Sequence, residues 1–189
     1  MKTKLLFLIQ AFTVMSMSSI AQSIVNFHVT EDGTFKTSDG ADFVIVTYEG
    51  KDAHQIFQEL AANVGSIYNN PSKVMSVVDD ISIKIRALDD FLTNSTMGIP
   101  IGTWRGYYQL EFRIKDGRVR VEAPLIEPYF HDSNYTKPNK SYTKYAKGLF
   151  KNGEVKDNKK KEYYRLNYMM NSTINAILGS TKTKEEIDW

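Results

Sequence analysis

The chain of 189 residues contains no cysteine. Disulfides, thiolate metal sites, a cysteine nucleophile and acylation at a cysteine are all excluded by that. Histidine is nearly as scarce. His28, His54 and His131 are the only three, and no two stand at the i, i+4 spacing of a helical zinc site, which argues against a zinc hydrolase. No G-x-S-x-G nucleophile elbow occurs. The glycines of the 97–102 segment lack both the Lys-Ser/Thr of a phosphate loop and the spacing of a dinucleotide fold. Charge of one sign is not in excess, with 24 Lys and Arg against 22 Asp and Glu.

Long hydrophobic runs are also missing. The one notable apolar stretch, 5–14, is about ten residues, against roughly 20 for a membrane-spanning helix. Lys2 and Lys4 precede it, and small residues lead from it to Ser19-Ile20-Ala21. A basic segment, a short apolar segment and an A-x-A-like site make the pattern of a secretory signal peptide over 1–21, cleaved between Ala21 and Gln22. The expected location is secreted or periplasmic, without a lipid anchor, since there is no cysteine to acylate. Cleavage removes two lysines and no acid, so the formal charge of +2 falls to zero. Such a domain has no overall field to draw it onto nucleic acid or anionic membranes, and binding of that kind needs a local patch.

About 168 residues remain, enough for one well-buried domain. We expect an N-terminal extension or extra strand over 22–40, an α+β domain over 41–180 and a polar tail over 181–189. The segment 24–29 reads as a short strand, followed by a Glu31-Asp32-Gly33 turn. Segment 42–48, DFVIVTY, is rich in β-branched and aromatic residues and predicts a strand buried on both faces. Asp52 stands at a helix N-cap, and Ala53, Ile56, Phe57, Leu60, Ala61, Val64 and Tyr68 trace one helical face. His54 lies beside that stripe in the exposed first turn, as a surface or packing residue.

Strands are next predicted over 73–78 and 81–87. The tandem carboxylates Asp79-Asp80 and Asp89-Asp90 fall at strand ends, where neighbours along the chain do not converge on one substrate. Segment 91–102 reads as a loop with close backbone packing. The clearest pattern follows at 103–115, where Trp104, Tyr108, Leu110, Phe112 and Ile114 alternate with polar residues. Asp116-Gly117 is a two-residue hairpin turn, and the return strand 118–126 presents Val119, Val121, Ala123 and Leu125. This register sets Ile114 opposite Val119, Arg113 opposite Arg120 and Glu111 opposite Glu122. A polar loop over 131–141, a small hairpin around Asn152-Gly153 and a second long helix over 160–178 complete the chain. Gly179 is the expected stop.

This succession, with the leader, resembles the secreted bacterial family called domain of unknown function 4468 (DUF4468). The matching segments are 42–48 followed by 52–68, then 104–115, Asp116-Gly117 and 118–126, with Gly148-Leu149-Phe150 and Gly153-Glu154-Val155 before the last helix. The resemblance implies a TATA-binding-protein-like (TBP-like) fold: one antiparallel sheet of about five strands with two helices on one face, in the order β-α-β-β-β-β-α, plus a small hairpin. It implies no activity. A TATA-binding protein uses a duplicated saddle, whereas one copy is present here, and an exported protein does not meet cytoplasmic DNA. No nucleic-acid partner is therefore expected, nor any cofactor.

The candidate site is the polar sheet face. The alternation puts Lys84, Arg86, Arg105, Arg113, Arg118 and Arg120 on it, against Glu111 and Glu122, with Tyr107 among them. Arginine forks and an aromatic ring on a rigid sheet suit an anionic ligand: an acidic glycan, a lipid headgroup or an envelope protein with an acidic surface. The plainer reading is a solvated face whose charges keep the sheet soluble. An envelope hydrolase with two carboxylates is the enzymatic alternative, although no converging constellation supports it. The basic start of the last helix (Lys159, Lys160, Lys161, Arg165) reads as solvated. Four Asn-x-Ser/Thr tripeptides, at 94, 134, 139 and 171, match glycosylation acceptors and in a bacterial protein are coincidental.

Overall fold

The computed structural model describes residues 25–96, 99–127, 129–132 and 138–179, and the side chains of 90–105 and 128–141 lie outside the description. The elements in chain order begin with β1 (His28–Val29), β2 (Phe35–Lys36), β3 (Phe43–Thr47), α1 (Ala53–Ile67), the short α2 (Pro71–Val74) and β4 (Met75–Val78). Next come β5 (Ser82–Thr96), β6 (Ile99–Lys115), β7 (Arg118–Glu122), β8 (Leu125–Ile126), β9 (Tyr129–Asp132) and β10 (Pro138–Ser141). The chain closes with α3 (Tyr142–Leu149), β11 (Phe150–Lys151), β12 (Glu154–Val155), a 3-10 turn and α4 (Lys160–Ile177). The predicted leader and the tail beyond 179 lie outside the described residues.

The body is an α+β unit built on an antiparallel sheet. Its order is β4-β5-β6-β7-β3, a five-stranded core with α1 and α4 packed on one face. The β-α-β-β-β-β-α succession is present in this body. The central strand β6 is long enough to take three partners along one edge: β7 at 112–115, β8 at 108–109 and β9 at 104–105. Pro124, with no N–H to donate, falls between β7 and β8 and divides the single return strand expected over 118–126. The hairpin register is as the alternation predicts, with Ile114 opposite Val119 and Arg113 opposite Arg120.

Capping explains why α1 starts where it does. The Asp52 carboxylate accepts the Gln55 N–H at 2.8 Å, and the Gln55 side chain accepts the Asp52 N–H at 3.1 Å, a reciprocal capping box. Asp116 of the hairpin turn adds a third contact, accepting the Ala53 N–H at 2.8 Å. At the other end of the layer, Asn63 and Tyr48 donate to the Ile177 and Leu178 carbonyls, each at 2.9 Å, and close α4. Ile56, Phe57, Leu60 and Val64 of α1 and Leu166, Met170, Ile174 and Ile177 of α4 bury against Ile83, Ile85, Leu110, Phe112, Val119 and Val121.

Several expectations need correction. Segment 91–102 is not a loop, because β5 runs to Thr96 and β6 begins at Ile99. Register shifts between Asp90 and Leu92, and between Asn94 and Ser95, let two irregular sequences stay paired. Asp89-Asp90 therefore sits within a strand, opposite Gly106 and Arg105, rather than at its end. Strand 73–78 shrinks to Met75–Val78 behind a helical turn begun by Pro71. The polar stretch 131–141 includes parts of two strands, and α3 was not foreseen. The described sheet holds eight strands rather than five, beside two small two-stranded ribbons, and the described α-helices number four rather than two. β3 is buried on one face only, because the helices cover one side of the sheet, and Ile45 is 46% exposed while Val46 is buried.

The N-terminal segment forms the expected short strand, β1, and the turn at 31–33, and it packs more deeply than an extension would. Phe27 and Phe35 are among the most fully buried large side chains, with Val25 and Val29 beside them. Residues 25–36 are an integral part of the core. They dock along α4 as a separate hairpin, β1 with β2, and among the described residues Lys84, Arg86, Arg113 and Arg120 on the polar face of the main sheet stay exposed.

Candidate functional site

Side chains alternate across a strand, so the register of four strands decides what shares the outer face. Ser82, Arg113, Arg120 and Ile45 form one row across β5, β6, β7 and β3, while Lys84 sits opposite Glu111 and Phe43 opposite Glu122. Arg86 is opposite Gln109, Leu88 opposite Tyr107, and Arg118 between Lys115 and Thr47. Six of the seven candidate residues are thereby on one face. The seventh, Arg105, pairs through its backbone with Asp90 and His131, and its side chain lies outside the description.

Arg113 and Arg120 face each other directly, an arrangement that is unfavourable between like charges. Glu122 relieves it by approaching both, 3.1 Å from Arg113 Nε and 2.7 Å from Arg120 Nε, with a second Arg120 contact at 3.0 Å. Glu111 extends the chain, 2.9 Å from Arg113 Nε and 3.2 Å from Lys84 Nζ. Arg86 pairs with Glu127, which the β7–β8 break brings alongside. Two rings support the guanidiniums from below: Tyr107 under Arg86 at 3.8 Å and Phe43 under Arg120 at 3.9 Å. The Glu122 carboxylate beside it holds the Arg120 guanidinium above its ordinary pKa.

The charges are layered. The carboxylates Glu111, Glu122 and Glu127 are 18–30% exposed, whereas Lys84, Arg86, Arg113 and Arg120 are 41–57% exposed. The acids lie low on the sheet and the cations stand over them. Arg86, Arg113 and Arg120 each direct N–H groups at a carboxylate while their side chains stay 41–57% exposed. Apolar residues border the patch, with Leu88 46% and Leu125 60% exposed.

The remaining chemistry-bearing residues do not converge. His54 is exposed, and its Nδ1 lies 3.0 Å from Asp80, which occupies a left-handed turn position (φ 58°). Tyr68 and Tyr108 share a hydroxyl hydrogen bond of 2.7 Å. Burial pushes both phenols above their ordinary pKa, so neither is a ready base. Among the described residues, no three of His, Asp and Glu are placed to hold a metal ion. No described helix is long and apolar enough to cross a membrane.

Sequence reasoning missed a second constellation on α4. Asn167, Asn171 and Asn175 accept the backbone N–H groups of Val29, Phe27 and Val25 at 2.8, 2.8 and 2.9 Å. Asn171 and Asn175 also donate back to the Phe27 and Val25 carbonyls, both at 2.8 Å. The i, i+4, i+8 spacing of three asparagines is the signal available in the sequence, where Asn171 also begins a glycosylation-like tripeptide.

No family model matches the chain, and no curated protein does. Membership of DUF4468 is accordingly not shown. Among solved structures, a TBP-like protein from Parabacteroides distasonis is similar over 74% of this chain and 92% of its own, at 18% identity and a TM-score of 0.47.

Proposed function

We propose that this is an exported, non-enzymatic binding module of the bacterial envelope, a divergent TBP-like domain related to DUF4468, whose open sheet face takes an anionic ligand. The observation that carries the reading is the layering of charge. Buried-side carboxylates fix the guanidiniums in place, so their outward N–H groups are preorganised for a carboxylate, sulfate or phosphate group. Acidic glycans, lipid headgroups and acidic protein surfaces all present that chemistry. The leader pattern supplies the compartment, and protein recovered from the envelope should begin at Gln22.

Two variants test the site in opposite directions. Arg113, Arg118 and Arg120 all changed to Gln should abolish binding of a heparin-like glycan or of anionic vesicles. Glu111 and Glu122 both changed to Gln keep an oxygen acceptor that holds the guanidiniums but lose the competing negative charge, and should tighten binding by about tenfold, the equivalent of roughly 1.4 kcal/mol. Binding should weaken as salt rises. Equal behaviour of both variants and the parent would sink the proposal and leave the face as a solvated lattice.

A further inference from the structure

The hairpin of β1 and β2 is not hydrogen-bonded to the main sheet. It is held by its alternating side chains and by three asparagines that treat its backbone as a neighbouring strand would. In an extended chain the N–H and C=O of residues 25, 27 and 29 point to one edge, repeating every 6.4–6.8 Å or so. Asparagines four apart on a helix repeat about every 6.0 Å. The mismatch of roughly half an ångström per rung accumulates along the ladder. That explains the pattern of contacts: Asn175 and Asn171 both accept and donate, whereas Asn167 only accepts and its buried Nδ2 is without a partner. The far end of the hairpin seats on α3, where a Cβ on Gly33 would come 3.2 Å from the Tyr142 ring.

We propose that this groove on α3 and α4 takes residues 25–36 of a second copy of the chain in exchange for its own, giving a reciprocal strand-exchanged dimer. Three observations favour that occupant. Recognition runs through backbone groups and the apolar Val25, Phe27 and Val29, all of which a second copy supplies identically. The connection to β3 is an outlying turn at 37–41, closed only by its own bonds between Thr37, Gly40 and Ala41, with Ser38, Asp39 and Gly40 exposed. Opened out, residues 37–42 span about 20 Å, enough to carry the hairpin to a neighbour. Reciprocal exchange closes with two-fold symmetry and leaves no groove empty.

The test has two arms. Deleting Ser38, Asp39 and Gly40 removes the residues in which the chain reverses. The parent should show a dimer fraction that grows with concentration and exchanges slowly, the shortened protein should run wholly as a dimer by light scattering, and Asn171→Ala in the shortened chain should weaken that dimer at least tenfold. Separately, a labelled peptide of residues 25–36 added to the full-length chain should bind slowly and saturably. A peptide N-methylated at Val25, Phe27 and Val29, which keeps every side chain but loses the three donors, should not. A folded, monomeric shortened chain overturns the proposal. If that variant does not fold, the peptide decides: no binding, or equal binding by the methylated form, overturns it as well.

Discussion

Asn175→Ala gives the sharpest measure of what the ladder contributes. Asn175 is 4% exposed and makes three hydrogen bonds, accepting from Val25 N–H at 2.9 Å and donating to the Val25 and Asn171 carbonyls at 2.8 Å each. The Asn171 carbonyl keeps its place in the helix, but the Val25 N–H and C=O are left unpaired beside a side chain that is 1% exposed. At about 1–3 kcal/mol for each of the two buried groups left unsatisfied, the change should cost roughly 2–6 kcal/mol. Urea unfolding should show a lower midpoint with an unchanged slope if the fold stays cooperative. Exchange of the Val25 and Phe27 amides should quicken by more than overall unfolding explains if the hairpin lifts off alone. A loss below about 0.5 kcal/mol with unchanged Val25 protection would refute the argument, since a surface residue costs that much. Asn175→Asp adds a check of sign. Its carboxyl would face two carbonyls in a dry site, which favours the protonated form and raises its folded pKa. That variant should be most stable at acid pH, below its unfolded pKa, and lose the advantage as pH rises through the folded one.

Asp52→Ala removes the capping box of α1 and should cost about 1 kcal/mol, read by thermal or urea unfolding. Asp32 is held at a pKa of about 2 by the Thr30 hydroxyl, then by the backbone and hydroxyl of Thr34. Its contribution to stability is therefore full above the unfolded value near 3.9 and is lost as pH falls through about 2. Asp32→Asn should flatten the stability profile over that window, and an unchanged profile would contradict the assignment. Gly33→Ala places a side chain at φ +88° against Tyr142 and should cost about 1–2 kcal/mol, with faster exchange confined to residues 25–36.

Legibility in the sequence followed the strength of local patterns. Alternation over 107–123 placed Tyr107, Arg113, Arg118 and Arg120 on one face and set the hairpin register, because one buried face punishes any one-residue slip, but it failed at Leu125, which the break at Pro124 leaves 60% exposed rather than in the core. The long helices were legible from their stripes and caps. Strand pairing over 89–106 was not, because two aspartates, three glycines and a proline mimic a loop, and what keeps the paired residues extended is the partner strand. The DFVIV run misled differently, since contiguous apolar residues do not say which face an edge strand leaves exposed. On the site, charges were readable but depth was not. Glu127 meets Arg86 only because Pro124 ends one strand and starts another, and no spacing rule joins residues 41 apart. The asparagine ladder shows the reverse case, with the spacing present in the sequence and its partner strand nearly the whole chain away.

That distance has a kinetic consequence. Val25 and Asn175 are separated by 150 residues, and Val29 and Asn167 by 138. A chain synthesised from its N-terminus carries Val25, Phe27, Val29 and Phe35 without their seat until the final helix has been made. Contacts between ends of a chain are the slowest to form, because loop closure precedes any return in contacts. Residues 25–36 are thus made early and settle late, and until then they are an exposed, alternating apolar strand. A chaperone that holds extended apolar segments would find its natural substrate there, and a chain cut short before residue 167 would never release it.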